Sequence, residues 1–120
     1  MELKEKTCKS CEPGTPALDQ RTVALLLAEV PGWAVRPPRP NEDAPTARIT
    51  KRFKFDDFKG AMAFVGRMAA LAEEQAHHPD FCVHYNEVHV TSWTHSVGGL
   101  SENDFILAAK IDALIDTHRA

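Results

Sequence analysis

Between Arg48 and Phe55 the chain alternates. Ile49, Lys51, Phe53 and Phe55 fall on one side, and Thr50, Arg52 and Lys54 on the other. That period of two specifies a strand in a sheet with one face buried and the other wet or at an interface. Two further strands are expected at Phe81 to Tyr85 and Val88 to Thr94, joined at Asn86-Glu87. In the second of these His89, Thr91, Trp93 and His95 point one way while Val88, Val90 and Ser92 point the other. A short strand at Trp33 to Arg36 precedes them. The stretch that follows it holds Pro37, Pro38, Pro40 and Pro45, which forbid central-strand pairing and mark an exposed connection.

A sheet with one apolar face needs helices to cover it, and three stretches have the spacing. Asp19 can cap a helix carrying Val23, Leu26, Leu27 and Val30, with Leu25 broadening the stripe and Pro31-Gly32 ending it. Asp56 or Asp57 caps a second, whose stripe is Phe58, Met62, Val65, Met68 and Ala72 and which Pro79 stops. Ser101-Glu102-Asn103-Asp104 opens the third as a Ser-x-x-Asp capping box, with Leu100 and Phe105 as its hydrophobic staple and Leu107, Ile111, Leu114 and Ile115 as its stripe. The expected fold is therefore α+β: one four-stranded antiparallel sheet with three helices on one face, in the order α-β-β-α-β-β-α. Residues 1 to 17 read as an extended arm that must lean on something else, and residues 18 to 120 as a single domain.

Charge and cysteine usage narrow the function. A formal charge of −3 and a pI near 6.0 leave no basic footprint for nucleic acid or acidic lipid. No apolar run approaches membrane-spanning length and the N-terminus lacks the apolar core of a secretion signal, so a cytoplasmic protein is the expectation. Three cysteines make no disulfide framework. Cys8 and Cys11 form a Cys-x-x-Cys pair in a polar tail, read as reduced or incidental, with metal or redox use as the alternative.

The unusual stretch is Glu73-Glu74-Gln75-Ala76-His77-His78-Pro79-Asp80, where two imidazoles stand at a helix end, with a third at His95 within reach through the hairpin. Imidazole gives and takes protons near neutral pH, so three of them can serve opposite sides of one substrate as acid and base. Glu73, one helical turn before His77, is placed to orient that ring, and Asp104 offers a second carboxylate. The plainer reading is a polar helix terminus, cations being favoured near the negative end of the helix dipole, with Asp104 only a capping residue. His84, His89 and His118 read as surface or interface residues. A metal held by His77, His95 and a carboxylate lacks the usual His-Glu-x-x-His spacing and is not expected.

Taken together, Glu73-x3-His77-His78-Pro79, Tyr85-Asn86-x-Val88-x-Val90 and Trp93-Thr94-His95-x3-Gly99-Leu100-Ser101-x2-Asp104 resemble the signature of the pterin-4a-carbinolamine dehydratase family. The resemblance extends from Pro31-Gly32-Trp33 to the closing Asn103 to Asp112 stretch, and the Cys8-x2-Cys11 arm is similar to the longer N-terminus of many bacterial members. It implies dehydration of 4a-hydroxytetrahydropterin to quinonoid dihydropterin in tetrahydropterin recycling, with no metal or organic cofactor. By position His77, His78 and His95 match the family's active-site histidines, and Glu73 and Asp104 its supporting carboxylates. Ala76, His77, His78, Trp93, Thr94, His95 and Ser96 would line the pterin pocket, with Phe81 packing on the ring. A homodimer or homotetramer and a functional link to an aromatic amino-acid hydroxylase are also implied. The alternatives are a non-enzymatic regulatory or assembly protein, as some relatives are, and an enzyme of another pterin, such as one in molybdopterin metabolism.

Overall fold

The computed structural model describes residues 2–10, 12, 14–42 and 46–119, with side chains as far as 115. Cys11, Pro13, Pro45 and the side chain of His118 lie outside the described residues. The elements run α1 (Gln20–Leu27), β1 (Ala34–Arg36), β2 (Arg48–Lys54), α2 (Phe58–Gln75), β3 (Asp80–His84), β4 (Glu87–Ser92) and α3 (Glu102–Arg119). The four strands form one antiparallel sheet in the order β1-β2-β4-β3. This is the expected α-β-β-α-β-β-α arrangement.

Alternation fixes which face is covered. Ile49 and Phe53 on β2 and Val88, Val90 and Ser92 on β4 are all buried, and the register pairs Phe53 with Val88 and Ile49 with Ser92. α2 lays Phe64 onto this face, its ring 4.9 Å from Phe53 and 5.0 Å from Phe55, and Trp33 meets Phe53 edge-on at 6.0 Å. α3 closes the core with Phe105, Ile106, Leu107, Ala108 and Ile111. Lys51, the one charge on the inward side of β2, is matched by Asp112 at 2.9 Å, which also accepts from the Trp33 indole.

Three local expectations change. α2 buries Ala61, Phe64, Met68, Ala72 and Gln75, whereas Phe58 and Met62 are exposed. The helix is apolar over more than one stripe, and the seat of Phe64 between Phe53 and Phe55 selects the inward one. Leu25 is likewise exposed, α1 packing its half-buried Val23, Leu26 and Leu27 against the core, and that helix stops at Leu27, ahead of Pro31. The hairpin turn is Tyr85-Asn86 rather than Asn86-Glu87, since His84 pairs with Glu87. Tyr85 takes the left-handed conformation at φ 52°, and Asn86 is held by Phe55 through both main chain and side chain.

Residues 2–10 lie against α3 and the end of α2. Leu3 is buried in the core, Cys8 N–H donates to Gln75 Oε1 at 2.9 Å, and Lys9 exchanges hydrogen bonds with the Asn103 side chain. These bonds supply partners for two buried polar side chains, Gln75 and Asn103.

The helix caps are those anticipated. Asp19 accepts from Thr22 N–H and Asp57 from Gly60 N–H, both at 2.8 Å. The Thr22 amide holds the Asp19 carboxyl below its ordinary value of 3.8. A carboxyl whose folded pKa is depressed stabilises the fold fully above its unfolded pKa and loses that contribution as pH falls through the folded one. We expect Asp19→Asn, which caps without titrating, to flatten the loss of urea stability between about pH 5 and pH 2 relative to wild type. Denaturation midpoints measured across that range check it, and identical pH slopes for the two proteins would contradict it.

Candidate functional site

The site is built where two chain reversals meet. At the end of α2, Ala76 adopts the left-handed conformation at φ 52°, with its N–H on Glu73 O and the next N–H, of His77, on Ala72 O, both at 3.2 Å. This pair of bonds is a Schellman motif closed by alanine where glycine is usual, at a steric cost of about 1 kcal/mol. The turn sends successive histidines in different directions. His77 goes inward, its side chain only 11% exposed, and His78 goes outward, 61% exposed.

The second reversal follows β4. Thr94 and Gly99 exchange main-chain hydrogen bonds across a 3-10 turn at His95–Val97, with Gly98 left-handed at φ 65°. A Cβ at Gly99 would meet the Ala17 Cβ at 2.9 Å, so the second glycine is required by close approach and the first by its backbone conformation.

Asp104 sits between the two reversals, and none of its surface reaches solvent. Its Oδ1 accepts from Ser92 Oγ at 2.6 Å and bonds His77 Nε2 at 2.8 Å; its Oδ2 accepts from Thr94 Oγ1 at 2.7 Å and from Ser101 N–H at 3.0 Å. The last is the reciprocal half of the capping box. Thr94 spends its only hydroxyl proton on Asp104, so the Ser101 hydroxyl is the donor in their 2.7 Å contact. A carboxylate can only accept, which makes His77 Nε2 the protonated nitrogen and leaves Nδ1 as the basic atom of the neutral ring.

His78 Nε2 bonds Glu73 Oε1 at 2.6 Å. Glu73 therefore serves His78 rather than His77, because the one-turn spacing that would align it with His77 requires a helix continuing past Gln75. His95 is exposed and lies against the Trp93 ring with centroids 3.7 Å apart. The Arg48 guanidinium stands 4.5 Å from the centre of the same indole and pairs with Glu42 and Asp80.

Ala76, His77, His78, Trp93, Thr94, His95 and Ser96 together line a cleft of about 400 Å³. All three candidate histidines border it. Phe81 does not: β3 carries it to an apolar recess of about 160 Å³ on the other side of His78, shared with Met68, Ala69, Ala72, Glu73 and Pro79. Sequence reasoning passed over Ser92 and Arg48. The signal for Ser92 was a hydroxyl at an inward strand position that follows Val88 and Val90, where an apolar residue was due.

A model of the pterin 4 alpha carbinolamine dehydratase family matches residues 16–114. The chain belongs to the pterin-4a-carbinolamine dehydratase family. A Halorhodospira halophila protein provisionally named pterin-4-alpha-carbinolamine dehydratase is 41% identical over 95% of this chain and 98% of its own length. A Rubrobacter xylanophilus protein of the same provisional name is 39% identical over 94% and 98%. The crystal structure of a transcriptional coactivator/pterin dehydratase from Brucella melitensis superposes with a TM-score of 0.69 at 34% identity, covering 82% of this chain and 97% of that one. A pterin dehydratase-like protein described as a RuBisCO assembly factor of the alpha-carboxysome superposes at 0.51 and 28% identity, covering 66% and 89%.

The four-bond carboxylate leads to a stability prediction. Asp104→Ala strands two hydroxyls, an amide and an imidazole N–H in the interior and is expected to cost about 3 kcal/mol or more. Glu73→Gln, at an exposed pair, is expected to cost under about 0.5 kcal/mol. Urea unfolding of the two variants checks both, and similar costs would contradict the central place given to Asp104.

Proposed function

We propose that the cleft binds a pterin 4a-carbinolamine and catalyses its dehydration to the quinonoid dihydropterin by histidine acid/base chemistry. The observation that carries the reading is the convergence of His77, His78 and His95 on one cleft, with His77 anchored to a buried carboxylate. In the step, the C4a–O bond breaks as an acid protonates the hydroxyl, which leaves as water. The neighbouring ring nitrogen gives its proton to a base, and its electron pair closes the C=N double bond. The substrate is already at the oxidation level of the product plus water, so the reaction as written calls for no redox cofactor and no metal.

His77 suits the base: Nδ1 is free to accept, and Asp104 behind Nε2 stabilises the imidazolium that forms. His95 completes the pair as acid, and His78, steadied by Glu73, orients the pterin. Trp93, Thr94, Ser96 and Ala76 supply the remaining walls. In this reading the enzyme is a cytoplasmic member of tetrahydropterin recycling, serving an aromatic amino-acid hydroxylase. Exposed Phe58 and Met62 on α2 support self-association into a homodimer or homotetramer.

A second reading, a non-enzymatic assembly role, is favoured by the structural likeness to the RuBisCO assembly factor. One experiment separates them. Stopped-flow formation of quinonoid dihydropterin from synthetic 4a-carbinolamine should be faster with protein than in buffer, and His77→Ala, His78→Ala and His95→Ala should each lower the rate about 10²- to 10⁴-fold. Wild-type protein no faster than buffer would defeat the dehydratase reading, and dihydropterin binding without turnover would support the second.

A further inference from the structure

The sheet face turned away from the helices carries a cluster that the cleft does not use. Cys82 and His89 are directly paired across β3 and β4, and His84 and Glu87 are the next pair along. All four side chains therefore project from the same face of the hairpin. Cys82 Sγ lies 3.3 Å from His84 Nε2, the His84 and His89 rings are 4.7 Å apart, and His89 Nε2 is 3.1 Å from Glu87 Oε1. The ligand atoms of Cys82, His84 and His89 all fall within 4.8 Å of one another.

Tetrahedral zinc binds thiolate at about 2.3 Å and imidazole at about 2.0–2.1 Å, so its ligands stand about 3.3–3.8 Å apart. The observed spacings need only small rotamer adjustments to meet that, and the side chains are exposed or half-buried and free of core packing. One thiolate with two imidazoles is a donor set for a borderline-soft transition metal, whereas magnesium and calcium call for oxygen ligands. Glu87 adds a carboxylate within hydrogen-bond reach of His89, the usual outer partner of a ligating imidazole. The geometry points to a zinc site formed by Cys82, His84 and His89 on the outer face of the β3–β4 hairpin, with Glu87 supporting His89 and a fourth coordination position open. Such a site would clamp the edge strand β3 to β4 by bonds independent of the main-chain ladder.

Cobalt(II) reports the site directly, since thiolate coordination gives a charge-transfer absorption. Titrating the metal-stripped full-length chain with cobalt should give that absorption at one equivalent, and zinc should displace it while magnesium does not. Cys82→Ser should abolish it, and His84→Ala and His89→Ala should each weaken cobalt affinity at least about tenfold, with Glu87→Gln weakening it about 10- to 100-fold. The double variant Cys8→Ser/Cys11→Ser should keep it. Circular dichroism of each variant confirms that the fold is retained, as expected for exposed positions. The proposal is overturned if no thiolate band forms, if binding is weaker than about millimolar and unaffected by these substitutions, or if the band survives Cys82→Ser and is lost with Cys8 and Cys11.

Discussion

The buried carboxylate of Asp104 is the interaction on which the rest of this structure depends. A charge taken out of water is costly unless hydrogen bonds replace its hydration, and here four donors from four parts of the chain do so. Ser92 comes from the end of β4, Thr94 from the bridge beyond it, Ser101 from the start of α3 and His77 from the turn after α2. One side chain thus fixes the relative positions of a strand end, a helix start and a helix end. The cleft is the space left between those fixed pieces.

Preorganisation of that kind matters for proton transfer because it decides the tautomer before any substrate arrives. With Nε2 bound to Asp104, His77 offers Nδ1 and no other basic atom. His78 and His95 lack that degree of restraint: the first is paired with an exposed glutamate and the second rests on an indole face. The left-handed alanine at position 76 belongs to the same arrangement, since it ends α2 and turns the chain immediately before His77. Local strain of about 1 kcal/mol at that residue is small against the bonds it allows.

Much of this was legible in the sequence because it follows from short-range rules. The alternation at Arg48 to Phe55 gave the buried face of the sheet, Asp19 and the Asp56-Asp57 pair gave two helix starts, and Ser101 with Asp104 gave the third. The histidines drew attention by their position at a helix end. What was not legible depended on where one element met another. The inward stripe of α2 was chosen by Phe53 and Phe55, not by the helix itself. The partner of Glu73 was decided by a left-handed turn that alanine rarely makes, and Phe81 was moved out of the cleft by the path of β3. Asp104 was visible as a capping residue, but its bond to His77 spans 27 positions and is a product of the fold.

The hairpin cluster of Cys82, His84 and His89 shares no residue with the lining of the cleft, so substitutions in one set of histidines leave the other intact. For the cleft, the most direct test is the tautomer of His77, read from long-range nitrogen–proton correlations of the imidazole in nitrogen-15-labelled protein near neutral pH. The Nε2–H form is expected in the wild-type protein, with its proton slow to exchange, and that preference should be lost in Asp104→Asn. A His77 ring in the Nδ1–H form, or one averaging between tautomers as an exposed histidine does, would contradict it.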